Sequence, residues 1–465
     1  MAISEAQIQE QFDYMTRDKQ LLLDRFGGRG AKAYTRTFGC QGNVAEGERI
    51  DGILEAIGFD FTDDPKEADF ILYNTCCVRE HAEERVFGNL GRFKKLKDEN
   101  PNLIICVCGC MAQEDHVAER IKKNFKYVDL VFGTHVQYKL PEFLYRLFTG
   151  EERVFCLEEN HSVAEGFPLK RTNSLKAFLP ISYGCNNFCT YCIVPYVRGR
   201  ERSRAYEDIM KDARDLVSKG MKEIMLIGQN VNSYGNDFGE TNLFSRLLQD
   251  INDIPGDFLI RFMTSHPKDC SFELLDTMAR CEKVERHLHL PFQSGNDRVL
   301  KAMNRHYDRA RYLEVVAYAK KVMPDLSLTS DVIVGFPGET HEEFLDTVSL
   351  IKEVEFTSLY TFIYSPRVGT PGAKMEDPIS HEMKQQWFEE LLFQQEQIAA
   401  ERSAKTKGET FRVLAEGRSK NGRINGRTSG NVMIEFDGPD ELIGTFCNVT
   451  VTEPLTWVLR GELAD

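Results

Sequence analysis

The chain has 465 residues, enough for about three domains. Its 42% hydrophobic and 28% charged residues are ordinary for a globular protein. The sequence contains no run of about 18 apolar residues, so it predicts no membrane helix. The N-terminus lacks the features of a secretory signal, so we expect a cytoplasmic protein. A net charge of −14 argues against broad non-specific binding of nucleic acid. Thirteen cysteines in a reducing compartment favour metal ligands or buried thiols over disulfides.

The first part of the chain alternates predicted strands with predicted helices, after a helical leader over residues 1–28. Strands are expected at 33–38, 69–75, 103–108 and 128–132, and helices near 44–57, 80–98, 113–124 and 138–148. This alternation is typical of an open parallel sheet with helices on its faces. Residues 151–176 predict a connector without regular structure.

The middle of the chain repeats the alternation with six predicted strands, at 178–184, 223–228, 259–265, 286–292, 326–335 and 357–364. Six units predict a partial (β/α)6 barrel whose functional groups lie at the carboxyl ends of the strands. A long helix follows at 380–404, and short strands in the last 60 residues predict a small all-β barrel. We expect an α/β protein with domains at 31–150, 171–402 and 403–465.

Three cysteines follow the first predicted strand of the central domain within one short loop, at Cys185, Cys189 and Cys192. Thiolates at this spacing can bind three corners of an iron–sulfur cube and leave the fourth iron open. The alternative is a zinc site with a distant fourth ligand. Zinc motifs usually pair two C-x-x-C units, so the pattern favours the iron–sulfur interpretation.

A second group of cysteines is dispersed in sequence, at Cys40, Cys76 and Cys110, each after a predicted parallel strand. The carboxyl ends of parallel strands share one edge of a sheet, so these thiols could converge there. Buried core cysteines are the alternative, and spacing alone leaves both open. Cys77 is ambiguous because it follows Cys76 directly, whereas Cys106 and Cys108 lie inside an apolar strand and suit the core.

The segments that contain both groups of cysteines resemble known protein families. The C-x-x-x-C-x-x-C loop resembles the radical S-adenosylmethionine superfamily, which implies a [4Fe–4S] cluster and S-adenosylmethionine as cofactors. The segments TFGCQGN, NTCCVREHAEERVFGNLG and CGCMAQ resemble the N-terminal domain of the methylthiotransferase family, and FQSGNDRVLKAMNRHY, TSDVIVGFPGET and YSPRVGTPGA match its barrel in order. This resemblance implies a second, auxiliary [4Fe–4S] cluster at Cys40, Cys76 and Cys110.

Polar residues after two barrel strands are candidates for contact with the cofactor. The superfamily resemblance implies that Gln229 and Asn230, after the second strand, meet its amino group, and Gln293 and Ser294 follow the fourth strand. Arg305 could pair with its carboxylate, because guanidinium groups bind carboxylates in a bidentate manner. For each residue the alternative is a loop cap or a turn hydrogen bond.

Two basic stretches are candidates for RNA contact. Residues 198–204 carry four arginines, and residues 402–427 carry eight Lys or Arg against two acids. Positive charge beside a small β-barrel suits phosphate groups, and the barrel resembles a TRAM domain, an RNA-binding module. The alternative is a solvated surface. The candidate contacts are Arg198, Arg200, Arg202, Arg412 and Arg423.

Within the family, the segment NTCCVREHAEERVFGNLG resembles the branch that acts on isopentenylated adenosine in tRNA. The implied reaction adds a methylthio group to carbon 2 of N6-isopentenyladenosine next to the anticodon. The implied partners are that tRNA and an electron donor such as flavodoxin or ferredoxin, with no membrane and a monomeric protein. The alternatives are a sibling enzyme acting on threonylcarbamoyl-adenosine or a ribosomal-protein aspartate, and a non-catalytic iron–sulfur RNA-binding protein.

Overall fold

The computed structural model describes residues 3–77, 80–160 and 162–464, apart from the side chains of residues 80–83. Val78 and Arg79 of the tRNA-branch motif, and Asp465 of the predicted last domain, lie outside the described residues. The chain divides into two compact units. The first holds Met1–Thr172, Tyr183–Asn186 and Ile193–Arg204, and the second holds Asn173–Ser182, Asn187–Cys192 and Ala205–Asp465. No helix within the described ranges is long and apolar enough to cross a membrane.

The first unit is built on a parallel sheet with the strand order β2-β1-β3-β4-β5-β6. Its elements are α1 (Glu5–Arg25), β1 (Ala31–Thr37), α2 (Gln41–Ile57), β2 (Phe59–Phe61), β3 (Phe70–Thr75), α3 (Glu80–Glu99), β4 (Ile104–Gly109), α4 (Asp115–Asn124), β5 (Leu130–Phe132), α5 (Leu140–Phe148) and β6 (Val154–Cys156).

Every residue of β3 and β4 is buried, as expected for central strands with helices on both faces. One apolar cluster lies on each face of the sheet, around Leu72 and Phe132 on one side and around Ile71 and Val107 on the other. The open parallel α/β fold and its four predicted strands are confirmed. The connector prediction was wrong at β6, which pairs with β5 and extends the sheet.

Four short elements follow β6 along the chain: β7 (Lys176–Pro180), β8 (Ser182–Tyr183), α6 (Val194–Arg198) and β9 (Arg202–Ser203). The first strand of the second unit is β7, and α6 and β9 belong to the first unit. Gly184 has a positive φ of 77°, and a Cβ there would lie 2.2 Å from the Arg200 carbonyl oxygen. Only glycine therefore fits the turn that leads into Cys185.

The second unit continues the strand–helix alternation, with β7-β10-β11 and β12-β13-β14 as two parallel three-stranded sheets. A parallel bridge joins Ile260 on β11 to Val284, three residues before β12. The elements are α7 (Tyr206–Ser218), β10 (Glu223–Ile227), α8 (Leu243–Asn252), β11 (Leu259–Phe262), α9 (Phe272–Arg280), β12 (His287–His289), α10 (Asp297–Ala302), α11 (Arg309–Val322), β13 (Ser327–Val334), α12 (His341–Val354), β14 (Ser358–Ile363) and α13 (His381–Lys405). The partial (β/α)6 barrel is confirmed.

The end of the chain is a closed five-stranded barrel in the order β15-β16-β17-β19-β18. Its strands are β15 (Thr410–Arg418), β16 (Ile424–Arg427), β17 (Met433–Phe436), β18 (Phe446–Pro454) and β19 (Val458–Leu463). Alternate residues such as Val413, Ile434 and Val449 fill the interior, and closure leaves no long unpaired edge. The predicted small all-β barrel is confirmed.

Candidate metal centres

The strand-end cysteines of the first unit meet at one edge of its sheet. Cys40 caps the N-terminus of α2 after β1, Cys76 follows β3, and Cys110 follows β4. The thiols of Cys40 and Cys76 are hydrogen-bonded to each other, and those of Cys77 and Cys110 form a second pair. Gly39 permits this approach, because a Cβ at that position would lie 2.3 Å from the Cys76 Cβ.

Asn43 lies at the centre of this group because it is one helical turn after Cys40. Its Oδ1 is 3.4 Å from the Cys40 sulfur and 3.8 Å from the Cys110 sulfur. Its amide donates to the carbonyl of Thr75 at 2.9 Å, which fixes α2 against the end of β3. The sequence motif contains Asn43, but its role was not predicted, because no spacing rule marks a neutral amide between thiols.

Arg198 supplies positive charge to the same group. Its Nε donates to the Cys110 sulfur at 3.1 Å and its Nη2 donates to Asn43 Oδ1 at 3.0 Å. Both terminal nitrogens also donate to the carboxylate of Glu46, at 2.5 and 3.0 Å. Burial acts to lower the pKa of Arg198, yet Cys110 and Glu46 hold it well above its ordinary value. The guanidinium is therefore a fixed cation beside the thiols.

The electrostatics of this group suit thiolate ligands. The hydrogen bond with Cys76, together with Arg198, lowers the pKa of Cys40 to about 5 against the opposing effect of burial. The hydrogen bond with Cys110 and burial raise the pKa of Cys77 instead. Among the described residues, no three His, Cys, Asp or Glu side chains are arranged around a single metal ion. An iron–sulfur cube is larger and takes each thiolate on a different iron, so this donor set fits that group.

The cysteine loop is held in the second unit from Asn187 to Cys192. Asn304 donates to the carbonyl of Phe188 at 3.0 Å, and the Thr190 amide donates to that of Met303 at 3.1 Å. The Cys192 amide donates to the Cys189 carbonyl at 2.9 Å, which makes the turn between the two thiols. In the first unit, the Cys185 amide donates to the Gly199 carbonyl at 3.1 Å. These bonds fix the backbone on both sides of the thiols.

Arg305, the predicted partner of the cofactor carboxylate, is buried beside this loop. It donates to the carbonyl of Pro291 at 2.6 Å, and its Nη1 lies 3.5 Å from the Cys189 sulfur. Burial opposes its charge, yet the hydroxyls of Tyr191 and Tyr307 hold its pKa well above the ordinary value. The structure thus places a fixed cation beside each group of cysteines.

Two of the other predicted cofactor residues, Asn230 and Gln293, have buried oxygens without hydrogen-bond partners among the described residues. Asn230 donates to Asp269 at 2.7 Å, but its Oδ1 has no hydrogen-bond partner among the described residues. Gln293 has a positive φ of 67° and an equally unpartnered Oε1. Ser294 Oγ accepts from the Asn296 amide at 3.3 Å, and Gln229 is half-buried. Two buried acceptors without donors fit a ligand that carries an ammonium group.

The predicted RNA-contact arginines differ in accessibility. Arg198 is buried against Glu46, so the expectation that it meets RNA does not fit its position. Arg202 is half-buried and donates to the carbonyls of Asn160 and Arg198, both at 3.0 Å. Arg200 and Arg412 are exposed, and Arg412 pairs with Asp257. Arg423 is half-buried, 3.5 Å from Asp437.

Family models match three parts of the chain. The Radical SAM superfamily matches residues 179–351, which include the cysteine loop and most of the partial barrel. An uncharacterized protein family, UPF0004, matches residues 32–133, and the TRAM domain matches residues 404–464. The fold and the cysteine loop thus define a radical S-adenosylmethionine protein with an additional α/β domain and a TRAM barrel.

Curated relatives identify the family more narrowly. A protein of Acetivibrio thermocellus is 49% identical over 92% of this chain and 90% of its own length, and one of Thermoanaerobacter sp. is 48% identical over 94% of each. A Clostridium perfringens relative is 47% identical over 92% of this chain and 97% of its own. All three are named tRNA-2-methylthio-N(6)-dimethylallyladenosine synthase. The chain belongs to this family.

Solved structures are similar in fold at much lower identity. The radical S-adenosylmethionine methyltransferase TsrM from Kitasatospora setae is 13% identical, with a TM-score of 0.53 over 74% of this chain and 75% of that chain. The cobalamin-dependent radical enzyme OxsB is also 13% identical, with a TM-score of 0.51 over 80% of this chain and 56% of that one. These likenesses show the fold alone.

Proposed function

We propose that this protein is a tRNA methylthiotransferase that adds a methylthio group to carbon 2 of N6-isopentenyladenosine, also called N6-dimethylallyladenosine, next to the anticodon. The observation that carries the proposal is the 49% identity to a synthase of that name over 92% of the chain. The substrates are tRNA and S-adenosylmethionine, and the protein holds two [4Fe–4S] clusters.

The first-unit group is the proposed site of the auxiliary cluster, with Cys40, Cys76 and Cys110 as ligands. Bound there, the cluster supplies the sulfur. The protein contributes a fixed geometry, because Asn43 ties α2 to the end of β3. It also contributes charge compensation, since Arg198 donates directly to the Cys110 sulfur. Hydrogen bonds to a ligating sulfur stabilise its negative charge and influence the potential of a cluster.

The loop with Cys185, Cys189 and Cys192 is the proposed site of the second cluster. With S-adenosylmethionine bound, this cluster would supply the electron that cleaves the cofactor to methionine and a 5′-deoxyadenosyl radical, which can activate carbon positions that acid–base groups cannot. Asn230 and Gln293 offer their unpartnered oxygens to the cofactor's ammonium group. Arg305 lies beside Cys189, where its guanidinium can pair with the cofactor carboxylate while remaining bonded to Pro291. Gln229 and Ser294 complete the proposed set.

The RNA contacts are proposed for the exposed basic positions. Arg200 and Arg412 are exposed, and Arg423 and Arg202 are partly accessible at their surfaces. We propose domain limits of 31–150, 171–402 and 403–465, a monomeric cytoplasmic protein, and flavodoxin or ferredoxin as the electron donor. A redox protein is needed because reductive cleavage of S-adenosylmethionine consumes an electron.

Nucleoside analysis of tRNA tests the proposed reaction. A strain lacking only this gene, in a host with no second gene for the same reaction, should accumulate N6-isopentenyladenosine without its methylthio derivative. The wild-type gene should restore the derivative, and Cys185→Ala should not. Persistence of the methylthio derivative in the deletion strain would show that the assignment is wrong. Loss of methylthio-threonylcarbamoyl-adenosine, or of the methylthio group on a ribosomal-protein aspartate, would identify a sibling activity instead.

Anaerobic reconstitution separates an enzyme from a non-catalytic RNA-binding protein. The reconstituted protein should contain about eight iron atoms, the content of two [4Fe–4S] clusters. It should release 5′-deoxyadenosine from S-adenosylmethionine after reduction. Iron without any release of 5′-deoxyadenosine would favour the non-catalytic alternative.

A further inference from the structure

The sheet β12-β13-β14 has two chemically different faces. Leu288, Leu328 and Val332 belong to the apolar core that α12 and α13 cover. Side chains alternate along a strand, so Thr329, Asp331 and Ile333, which alternate with Leu328 and Val332 on β13, face the interior of the partial barrel. In the observed register the interior residues are neighbours, with Asp331 beside Tyr360 and Ile333 beside Phe362.

Part of this interior face is a connected polar row. His287 and His289 both approach Thr329 Oγ1, at 2.9 and 3.0 Å, and His289 Nε2 lies 3.4 Å from Asp331. The ring of Tyr360 meets His289 edge to face, with centroids 5.6 Å apart. These contacts hold the Tyr360 ring at the end of the row.

The same face extends toward the cysteine loop. Ile333 packs in a cluster with Tyr191, which lies between Cys189 and Cys192, and with Phe336 and Tyr364. Phe362 is the neighbour of Ile333 on the next strand. It is therefore one strand away from the side chains that surround the second proposed cluster.

Tyr360 and Phe362 are unusually accessible for interior aromatic residues. Tyr360 is 46% exposed and Phe362 is 52% exposed, whereas His287 and His289 on the same face are buried. The two rings stand two residues apart on β14, which pairs only with β13 within the described residues. They form an apolar surface bordered by hydrogen-bonding groups, and a nucleobase has the complementary form of an apolar face with polar edges.

We infer that Tyr360 and Phe362 form a stacking surface for the target adenine of the tRNA, an inference that rests on the proposed function. An enzyme that modifies a ring carbon must take the base out of its stack, and aromatic side chains replace the lost stacking. The position of Phe362 next to Ile333 brings the stacked base toward the cysteine loop. The adenine ring of S-adenosylmethionine is the competing occupant.

Binding of short RNA tests the inference. Two anticodon stem–loops are compared, one with isopentenyladenosine at the target position and one with an abasic site there. Wild-type protein should bind the first more tightly, and Phe362→Ala should weaken its binding by about tenfold, as expected for loss of one base–aromatic stack. Affinity for the abasic RNA should change little, because no base is there to stack. Phe362→Tyr keeps the ring and should keep the preference.

Phe393→Ala is the matched control, since Phe393 on α13 is 60% exposed and lies outside this face. It should leave both affinities unchanged. If Phe362→Ala and Tyr360→Ala retain the wild-type preference for the base-containing RNA, the stacking surface is refuted. If Phe362→Ala instead raises the KM for S-adenosylmethionine in RNA-free cleavage, the ring binds the cofactor and the inference is equally wrong.

These measurements distinguish failure of the proposed function from failure of the proposed stacking surface. A wild-type protein that modifies no tRNA contradicts the proposed function, whatever the RNA affinities are. A wild-type protein that makes the methylthio derivative, with a Phe362→Ala variant that still discriminates the abasic RNA, contradicts only the stacking surface.

Discussion

Replacing Arg198 by alanine should strongly destabilise the first unit. The guanidinium side chain is 5% exposed and makes a bidentate pair with Glu46, whose side chain is 11% exposed. Its removal leaves a buried carboxylate unpaired and removes the donors to Asn43 and Cys110. Breaking a buried pair on one side costs about 3–5 kcal/mol. Arg198→Met combined with Glu46→Gln should cost less, because no charge then remains unpaired.

Hydrogen exchange measures this effect in the first unit directly. Amides of β4 and α2 exchange through large-scale opening, so their protection reports the free energy of unfolding. Lys95→Ala is the surface control, because Lys95 and Glu99 are 83% and 62% exposed and an exposed pair contributes at most about 0.5 kcal/mol. A loss below about 1 kcal/mol in Arg198→Ala would refute the argument from a buried pair. So would a double variant that is as unstable as the single one.

Three further predictions concern the clusters and the core. Alanine at Cys40, Cys76 or Cys110 should halve the iron content and leave cofactor cleavage intact. Alanine at Cys185, Cys189 or Cys192 should abolish cleavage. Iron assays measure the first effect, and release of 5′-deoxyadenosine measures the second. Gly39→Ala should displace Cys76 and lower auxiliary iron, whereas Gly27→Ala, also at positive φ but with no atom within 4 Å of its Cβ, should keep the iron. Burial without hydrogen-bond partners raises the pKa of Asp18 to about 8, so the folded state retains a proton that the unfolded state releases above about pH 4. The free energy of unfolding should therefore fall as the pH rises from about 4 to 8. The variant Asp18→Asn should remove this pH dependence and raise the free energy of unfolding by on the order of 4 kcal/mol at pH 7. Denaturation across this pH range measures both effects, and an unchanged pH dependence would contradict the pKa shift.

Periodicity located the long elements because burial repeats over many residues. The strands β3 and β4 are apolar along their whole length, which is the pattern of central parallel strands. The strands β2 and β6 are three residues long, too short for a period to be recognised, and β5, equally short, was located only because the run at 128–132 extends beyond it. The positions of β2 and β6 depend on pairing with β1 and β5, and that is a tertiary property.

Charge was a weaker guide to the site than strand position. The run of arginines at 198–204 predicted an exposed RNA surface, but Arg198 is paired with Glu46, which is 152 residues away in sequence. A count of local charges cannot include such a distant carboxylate. Cys106 and Cys108, by contrast, are fully buried inside β4, as their apolar strand predicted.

Cys76 and Cys77 are the pair that sequence position left undecided, and their neighbours differ. Cys77 packs with Cys110, Ile193 and Val197 in an apolar cluster, and its thiol is hydrogen-bonded to that of Cys110. The Cys76 thiol is hydrogen-bonded to that of Cys40, which lies beside the polar centre at Asn43. Because Cys110 also borders Asn43, the proposed set of Cys40, Cys76 and Cys110 comprises the two thiols beside Asn43 and the thiol that is hydrogen-bonded to Cys40, whereas Cys77 contacts this set through Cys110.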